Sequence, residues 1–337
     1  MIELGHSAGH PGEFERKHPQ PLPPGWGCFV NASSLVAVLP MSTPAASSKR
    51  AQRSPPFLQL AEDSRNPRDT GGSWRSGYPV PAMGYLLVTN DDGVDSPALL
   101  PFMRALREIT DVRVVVPDRE RSWIGKAITR FGEIRVTRVV REGMEIAVAD
   151  GFPADCTQLG VHSLFGEAPD MVVSGINVGL NDSLAFFLSS GTAGAAAEGW
   201  IAGIPALAFS TGVTRDHRGW SERVWAGEEA DLWPRAAGVS ADIVTTVRRD
   251  GFPEGVDLLN VNFDTNATVD TPRVFTDLAK TGYDRIFREI RPDVFIHDFS
   301  TGLRVRGDLK GTDVEAVAKG LVSITPVRLA HAVKLDV

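Results

Sequence analysis

Hydrophobic and polar positions fall into two unlike regimes along the chain. Residues 1–83 sustain neither a helical nor a strand period and mix Pro, Ser, Arg and Gly irregularly, as in Pro19-Gln20-Pro21-Leu22-Pro23-Pro24 and Ser47-Ser48-Lys49-Arg50. This segment is expected to be disordered or weakly ordered. It is either a regulatory or targeting extension or a leader upstream of a natural start at Met83. The second reading is favoured because Met83 stands just before the first strong strand. Residues 84–337 are expected to form the folded domain.

From residue 84 the punctuation is regular. Short apolar runs over Tyr85–Thr89, Val112–Val116, Met171–Ser174, Ala206–Phe209 and Leu258–Asn262 read as buried strands. Between them lie helical patterns at Ala98–Ile109, Cys156–Phe165, Thr192–Ala202 and Leu232–Arg249. In the first, Leu99, Phe102, Met103 and Leu106 share one face. Ile134–Val140 and Glu145–Ala149 are expected to pair as a hairpin across Glu142-Gly143. Further on, Val294–Phe299 and Leu303–Arg306 are expected to form a second hairpin with Ser300-Thr301-Gly302 at its turn. Thr312–Gly320 reads as a short helix and Leu321–Thr325 as a strand stopped by Pro326.

Alternation of this kind predicts an α/β fold: a Rossmann-like three-layer core with a mostly parallel sheet, followed by a C-terminal hairpin and helix extension. In such sheets ligands bind beyond the carboxyl ends of the strands. The polar clusters Asn90–Gly93, Asp118–Ser122 and Ser174–Asn177 each follow a predicted strand. One site assembled from several loops is the economical reading.

The chemistry of these clusters narrows the picture. Asp91 and Asp92 are adjacent carboxylates at a strand end, and a divalent cation removes the cost of holding them together. A solvated turn uses the same residue types. Ser122 offers a neutral oxygen and Asn177 an amide oxygen, although loops carry such residues without ligands too. Ser190, Gly191 and Thr192 open a helix of small residues whose free N–H groups suit phosphate; Ser190 is also an ordinary N-cap. No GxGxxG opens the first helix, and neither GxxxxGK[ST] nor GxSxG occurs. His162, His217 and His297 lie in no zinc-type spacing.

Taken in order, the clusters resemble the stationary-phase survival protein family, SurE. The matching stretches are Leu86-Leu87-Val88-Thr89-Asn90-Asp91-Asp92-Gly93, Val116-Pro117-Asp118-Arg119-Glu120-Arg121-Ser122, Gly151-Phe152-Pro153-Ala154-Asp155-Cys156 and Pro169–Asn177. Ser190-Gly191-Thr192, Ala195–Gly199, Leu258–Phe263 and Val322–Pro326 complete the series. The resemblance spans nearly everything from residue 83 onward and none of 1–82. It implies one divalent cation per subunit, Mg²⁺ or Mn²⁺, held by Asp91, Asp92, Ser122 and Asn177, with Asp91 a candidate base. It also implies a phosphate pocket lined by Ser190, Gly191 and Thr192, with Asn90 beside the metal and in contact with phosphate. The implied activity is hydrolysis of nucleoside 5′- and 3′-monophosphates or other small phosphomonoesters. The implied assembly is a homodimer or homotetramer built partly through exchanged C-terminal elements. The alternative is a metal- or nucleotide-binding module with little or no turnover.

The chain departs from the family pattern twice. Trp123 stands where the family usually has Gly after the Ser. The stretch Leu180–Ser189 is apolar, lacks the usual Tyr and is about one residue longer. Phe186 and Phe187 within it are candidates for stacking a base, although a core or interface role is favoured.

Totals sharpen the exclusions. The formal net charge of the 337 residues is −7, which opposes nonspecific binding to duplex nucleic acid or anionic membrane. No uncharged apolar run reaches about 18 residues, so no membrane span is expected. Two cysteines, Cys28 and Cys156, build no disulfide framework, and a reducing, cytoplasmic location is expected.

Overall fold

A computed structural model describes residues 76–78, 84–214, 217–299 and 303–329. The chain runs β1 (Ser76–Tyr78), β2 (Tyr85–Thr89), α1 (Leu99–Arg107), β3 (Asp111–Pro117), β4 (Val136–Arg141), β5 (Met144–Ala149) and α2 (Pro153–His162). It continues with β6 (Met171–Val178), α3 (Ser183–Ser189), α4 (Gly191–Ile201), β7 (Ala206–Gly212), α5 (His217–Trp225), α6 (Leu232–Asp250), β8 (Phe252–Pro253) and β9 (Leu258–Asp264). The last part carries β10 (Arg273–Phe275), β11 (Thr281–Tyr283), β12 (Phe287–Arg291), β13 (Val294–His297), β14 (Leu303–Val305), α7 (Asp313–Ala318) and β15 (Val322–Val327). Of the segment expected to lack order, only β1 is described, and it pairs antiparallel with β8. The expectations for the rest of residues 1–83, including a start at Met83, and for Cys28 lie outside the described residues.

A nine-stranded sheet in the order β10-β15-β9-β7-β6-β2-β3-β5-β4 carries the fold. From β9 through β5 every neighbouring pair is parallel. Strand β4 joins its edge antiparallel, and β15 pairs antiparallel with β9. The period of two explains how β2 serves both faces: Leu86 and Val88 enter one core, Tyr85 and Leu87 the other. On the first face α1 lies beside α6, with Leu99, Phe102, Met103 and Leu106 turned inward as their spacing predicts. On the opposite face α2 packs against α4, whose Ala193, Ala196 and Ala197 sit in the second core. The result is the expected three-layer α/β architecture.

The first hairpin forms as expected. Arg141 pairs with Met144, and the two turn residues, Glu142 and Gly143, take φ of 52° and 73°. Positive φ at both positions is the backbone of a tight primed turn. The second hairpin is a correction. Val294–His297 pairs back with Phe287–Arg291, and Leu303–Val305 pairs with Thr281–Tyr283. Asp293, at φ 59°, supplies a reversal before β13, so β13 already has a partner upstream. Two helices, α3 and α5, form where no helical period had been read.

The chain moves from β2 to β3 on one side and returns to β6 on the other, so the strand order reverses at β2. The loops after β2, β3 and β6 therefore leave one edge of the sheet around this switch point, where ligands bind in such folds.

Candidate active site

Those three loops are tied together by backbone hydrogen bonds. The Arg121 N–H donates to the Asp91 carbonyl at 2.7 Å, which joins the β3 loop to the β2 loop. The Val178 N–H donates to Asp92 Oδ2 at 3.0 Å, which fixes that carboxylate to the end of β6. Asn90 spends both ends of its amide on Gly93: Nδ2 donates to the carbonyl and Oδ1 accepts from the N–H, each at 3.0 Å. It shapes the turn that presents the two acids.

The pairing of β6 with β7 is irregular between Ser174 and Asn177, where the register shifts. This irregularity lies at the carboxyl end of the strand, where Asn177 adjoins the pocket. Asn177 Nδ2 donates to the Gly179 carbonyl at 2.7 Å, leaving the amide oxygen as the end not used in that bond. Ser122 donates its hydroxyl to Glu120 Oε1 at 2.6 Å. Asp91, Ser122, Asn177 and Ser190 line one pocket. Asp92, Asn90, Gly191 and Thr192 are buried behind it, tied to it by the contacts described here.

Helix α4 begins at the pocket. Ser190 is its N-cap, accepting from the Ala193 N–H at 3.0 Å. Thr192 donates its hydroxyl to Asp91 Oδ1 and its backbone N–H also bonds that carboxylate. The helix terminus thus holds an acid as well as facing the pocket, as its positive end favours.

Electrostatics show what this cluster can hold. Burial pushes the Asp91 carboxyl up to about 6, against the opposing hydrogen bonds from Thr192. Asp92 is raised well above the usual carboxylate range, first by burial and then by the charges of Asp91 and Glu120. A nearby glutamate raises both buried acids, and acceptor oxygens dominate. Such a donor set fits a hard divalent cation. Among the described residues no group of three or more His, Cys, Asp or Glu side chains is placed to hold a metal, so the fit rests on two carboxylates with neutral oxygens. Cys156 is buried on α2 and its thiol is pushed up by that burial, which leaves it unreactive.

The family model described as Survival protein SurE matches residues 86–285. The chain belongs to the SurE family. It is 35% identical to the 5′-nucleotidase SurE of Methanocella arvoryzae over 247 residues, covering 72% of this chain and 91% of that one. It is 39% identical to the 5′-nucleotidase SurE of Geobacter metallireducens over 257 residues, with the same coverage of 72% and 91%. The crystal structure of the SurE protein from Aquifex aeolicus superposes with a TM-score of 0.58 at 32% identity, covering 74% of this chain and 94% of that one. The SurE match includes every residue named above as a site candidate.

The pocket also holds residues that spacing did not single out as ligands. His217, at the start of α5, lines it and is buried, and neither ring nitrogen has a hydrogen-bond partner. Burial lowers its pKa to about 4. A lone histidine outside any metal or nucleophile spacing carries no sequence signal for this position. Glu120, read within a charged loop, turns out to accept from Ser122 and to raise both aspartates. Trp123 lines the pocket at φ 59°, and within the Leu180–Ser189 stretch Ser183–Ser189 folds into α3 with Phe186 and Phe187 buried. Among the described residues no helix is long and apolar enough to cross a membrane.

Proposed function

We propose that this chain is a divalent-metal-dependent 5′-nucleotidase that also accepts nucleoside 3′-monophosphates. The observation that carries this reading is the convergence of Asp91, Ser122, Asn177 and Ser190 on one pocket. Relatives named 5′-nucleotidase SurE, at 35% and 39% identity over most of their length, support the same reaction.

In this reading Asp91, Asp92, Ser122 and Asn177 hold one Mg²⁺ or Mn²⁺. Bound there, the cation would supply Lewis-acid charge at a phosphate oxygen and a lowered pKa for a water molecule. Ser122 would give its oxygen in place of its bond to Glu120, and Asn177 would give the oxygen not used in its bond to Gly179. Ser190, Gly191 and Thr192 place the positive end of α4 at the phosphoryl oxygens. Asp91, with one oxygen held by Thr192, takes the proton of the attacking water. Positioning and charge stabilisation suffice because the phosphoryl transition state is loose.

The working protein is a cytoplasmic homodimer or homotetramer, and residues 84–337 make up its catalytic domain. Every residue of β12 is exposed, including Phe287 and Ile290, and Phe295 on β13 is exposed beside them. A two-stranded ribbon with such a surface is stable when a neighbour covers it.

The test is phosphate release by the full chain from a panel of nucleoside 5′- and 3′-monophosphates, with Mg²⁺, Mn²⁺ or chelator. Metal-dependent release is the expected result. Folded protein that binds nucleotide and releases no phosphate with either metal would move the function to binding without turnover.

A further inference from the structure

Trp123 occupies an unusual backbone position for its size. Its φ of 59° lies in the left-handed region, where a bulky side chain is strained and glycine is at ease. Strain of this kind persists where the surroundings hold it and a function uses it.

The surroundings do hold it. The indole is in ring contact with Phe186 from α3 at 5.9 Å between ring centroids, Tyr283 from β11 at 5.3 Å, His297 from β13 at 4.6 Å and Phe299 at 5.6 Å. Phe186 in turn touches Phe299 and Tyr283. The Tyr283 hydroxyl bonds the Ala185 carbonyl, which fastens β11 to α3. Four aromatic partners from three parts of the chain leave Trp123 no freedom to swing, so its orientation is set before any ligand arrives.

The same indole is half-buried and lines the pocket that contains Asp91, Ser122, Asn177 and Ser190. It directly follows Ser122, a proposed cation ligand. A substrate with its phosphate at Ser122 and Ser190 would have this wall within reach of its other end, because Trp123 lines the same pocket. A nucleoside monophosphate carries there a planar, π-rich base, and bases stack on aromatic side chains without needing a hydrogen-bond code.

We infer that Trp123 is the specificity-determining platform on which the substrate's nucleobase stacks, favouring purines. This rests on the nucleotidase reading above and deepens it. A purely structural aromatic anchor would hold β11 and β13 to α3, yet it requires neither the left-handed position nor a place in the pocket wall. The stacking role predicts discrimination by the leaving group.

The test compares kcat/KM for a purine 5′-monophosphate, a pyrimidine 5′-monophosphate and ribose 5-phosphate in the full wild-type chain, W123A and W123F. In the wild type the purine is preferred over ribose 5-phosphate. That preference falls about tenfold in W123A, chiefly through KM, and is largely retained in W123F. An unchanged preference in W123A, or an equal loss on all three substrates, overturns the inference and leaves an anchoring role. A second measurement does not depend on turnover or on W123A folding: saturable quenching of tryptophan fluorescence by adenosine. The quench is expected in the wild type and reduced in W123F by the Trp123 contribution; identical quenching in both overturns the inference. Absence of phosphate release from all three substrates in the wild type, with adenosine quenching at Trp123 intact, would instead sink the nucleotidase reading alone.

Discussion

Thr192 donates its hydroxyl to Asp91 Oδ1, and the residue before it leaves no room for a side chain: a Cβ at Gly191 would lie 2.7 Å from the Asp91 Cβ. The α4 terminus therefore sets the position of the acid by a bond and by a close approach that only glycine permits. Gly191→Ala is expected to displace Asp91 and lower phosphate release on the order of 10²-fold, as small misplacements in a reacting site do. Thr192→Val should lose activity and Thr192→Ser keep most of it. Steady-state rates alongside circular dichroism check both.

Asp91→Asn is expected to cost orders of magnitude in turnover with the fold intact, because it removes the proposed base and one charge from the cation set. Near-wild-type rates in this variant would refute that role.

Metal binding is expected to stabilise the folded chain by mass action, about 2.7 kcal/mol at a hundredfold excess over Kd. Mn²⁺ should raise Tm and chelator should reverse it. Asp92→Asn removes a buried charge that lies beside Asp91 and Glu120. It should raise the metal-free Tm and abolish the Mn²⁺ increment. A full increment in this variant would exclude Asp92 as a ligand.

His217 makes stability acid-sensitive. Folded His217 stays neutral down to about 4, whereas an unfolded imidazole takes its proton near 6.5. Between those values the unfolded state binds more protons, so stability falls as pH drops from about 6.5 to 4, by roughly 3 kcal/mol in full. His217→Phe should flatten the acid limb of Tm against pH. An unchanged limb would assign the acid loss to other groups.

Asp182 acts at the other end of the scale. Burial, and then the charge of Asp313, push its carboxyl up to about 8. Asp313 accepts N–H bonds from Ser183, Ala279 and Val314 and so holds its place in the fold. Between about 3.9 and 8 the folded state binds the extra proton, so stability falls as pH rises through that window. Asp182→Asn should raise Tm at pH 8 and leave it unchanged near pH 3. Equal Tm values for variant and parent at pH 8 would contradict the buried charge.

The convergence of the candidate residues is legible in the sequence because parallel strands buried on both faces are continuous apolar runs, and polar residues collect where those runs end. Asn90–Asp92 and Ser122 follow such runs, Asn177 lies in the last residues of β6 itself, and the sheet brings all of them to one edge. The rest was hidden for local reasons. Leu180–Ser189 has seven helical residues, too few for a period to stand out, and α3 stands on contacts with β11 and α4. The partner of β13 is not legible because β12, β13 and β14 are only five, four and three residues long, too short for alternation to set their register.

By itself the sequence determined the α/β alternation, the order of the polar clusters and hence the SurE family, because burial periodicity and strand-end chemistry are local properties. Only the tertiary structure decided that Thr192 and Gly191 position Asp91, that His217 stands unpartnered in the pocket, and that Trp123 is caged by residues from α3, β11 and β13. Each of these joins residues far apart in the chain, and such contacts exist only once long loops have closed and the sheet has set its register.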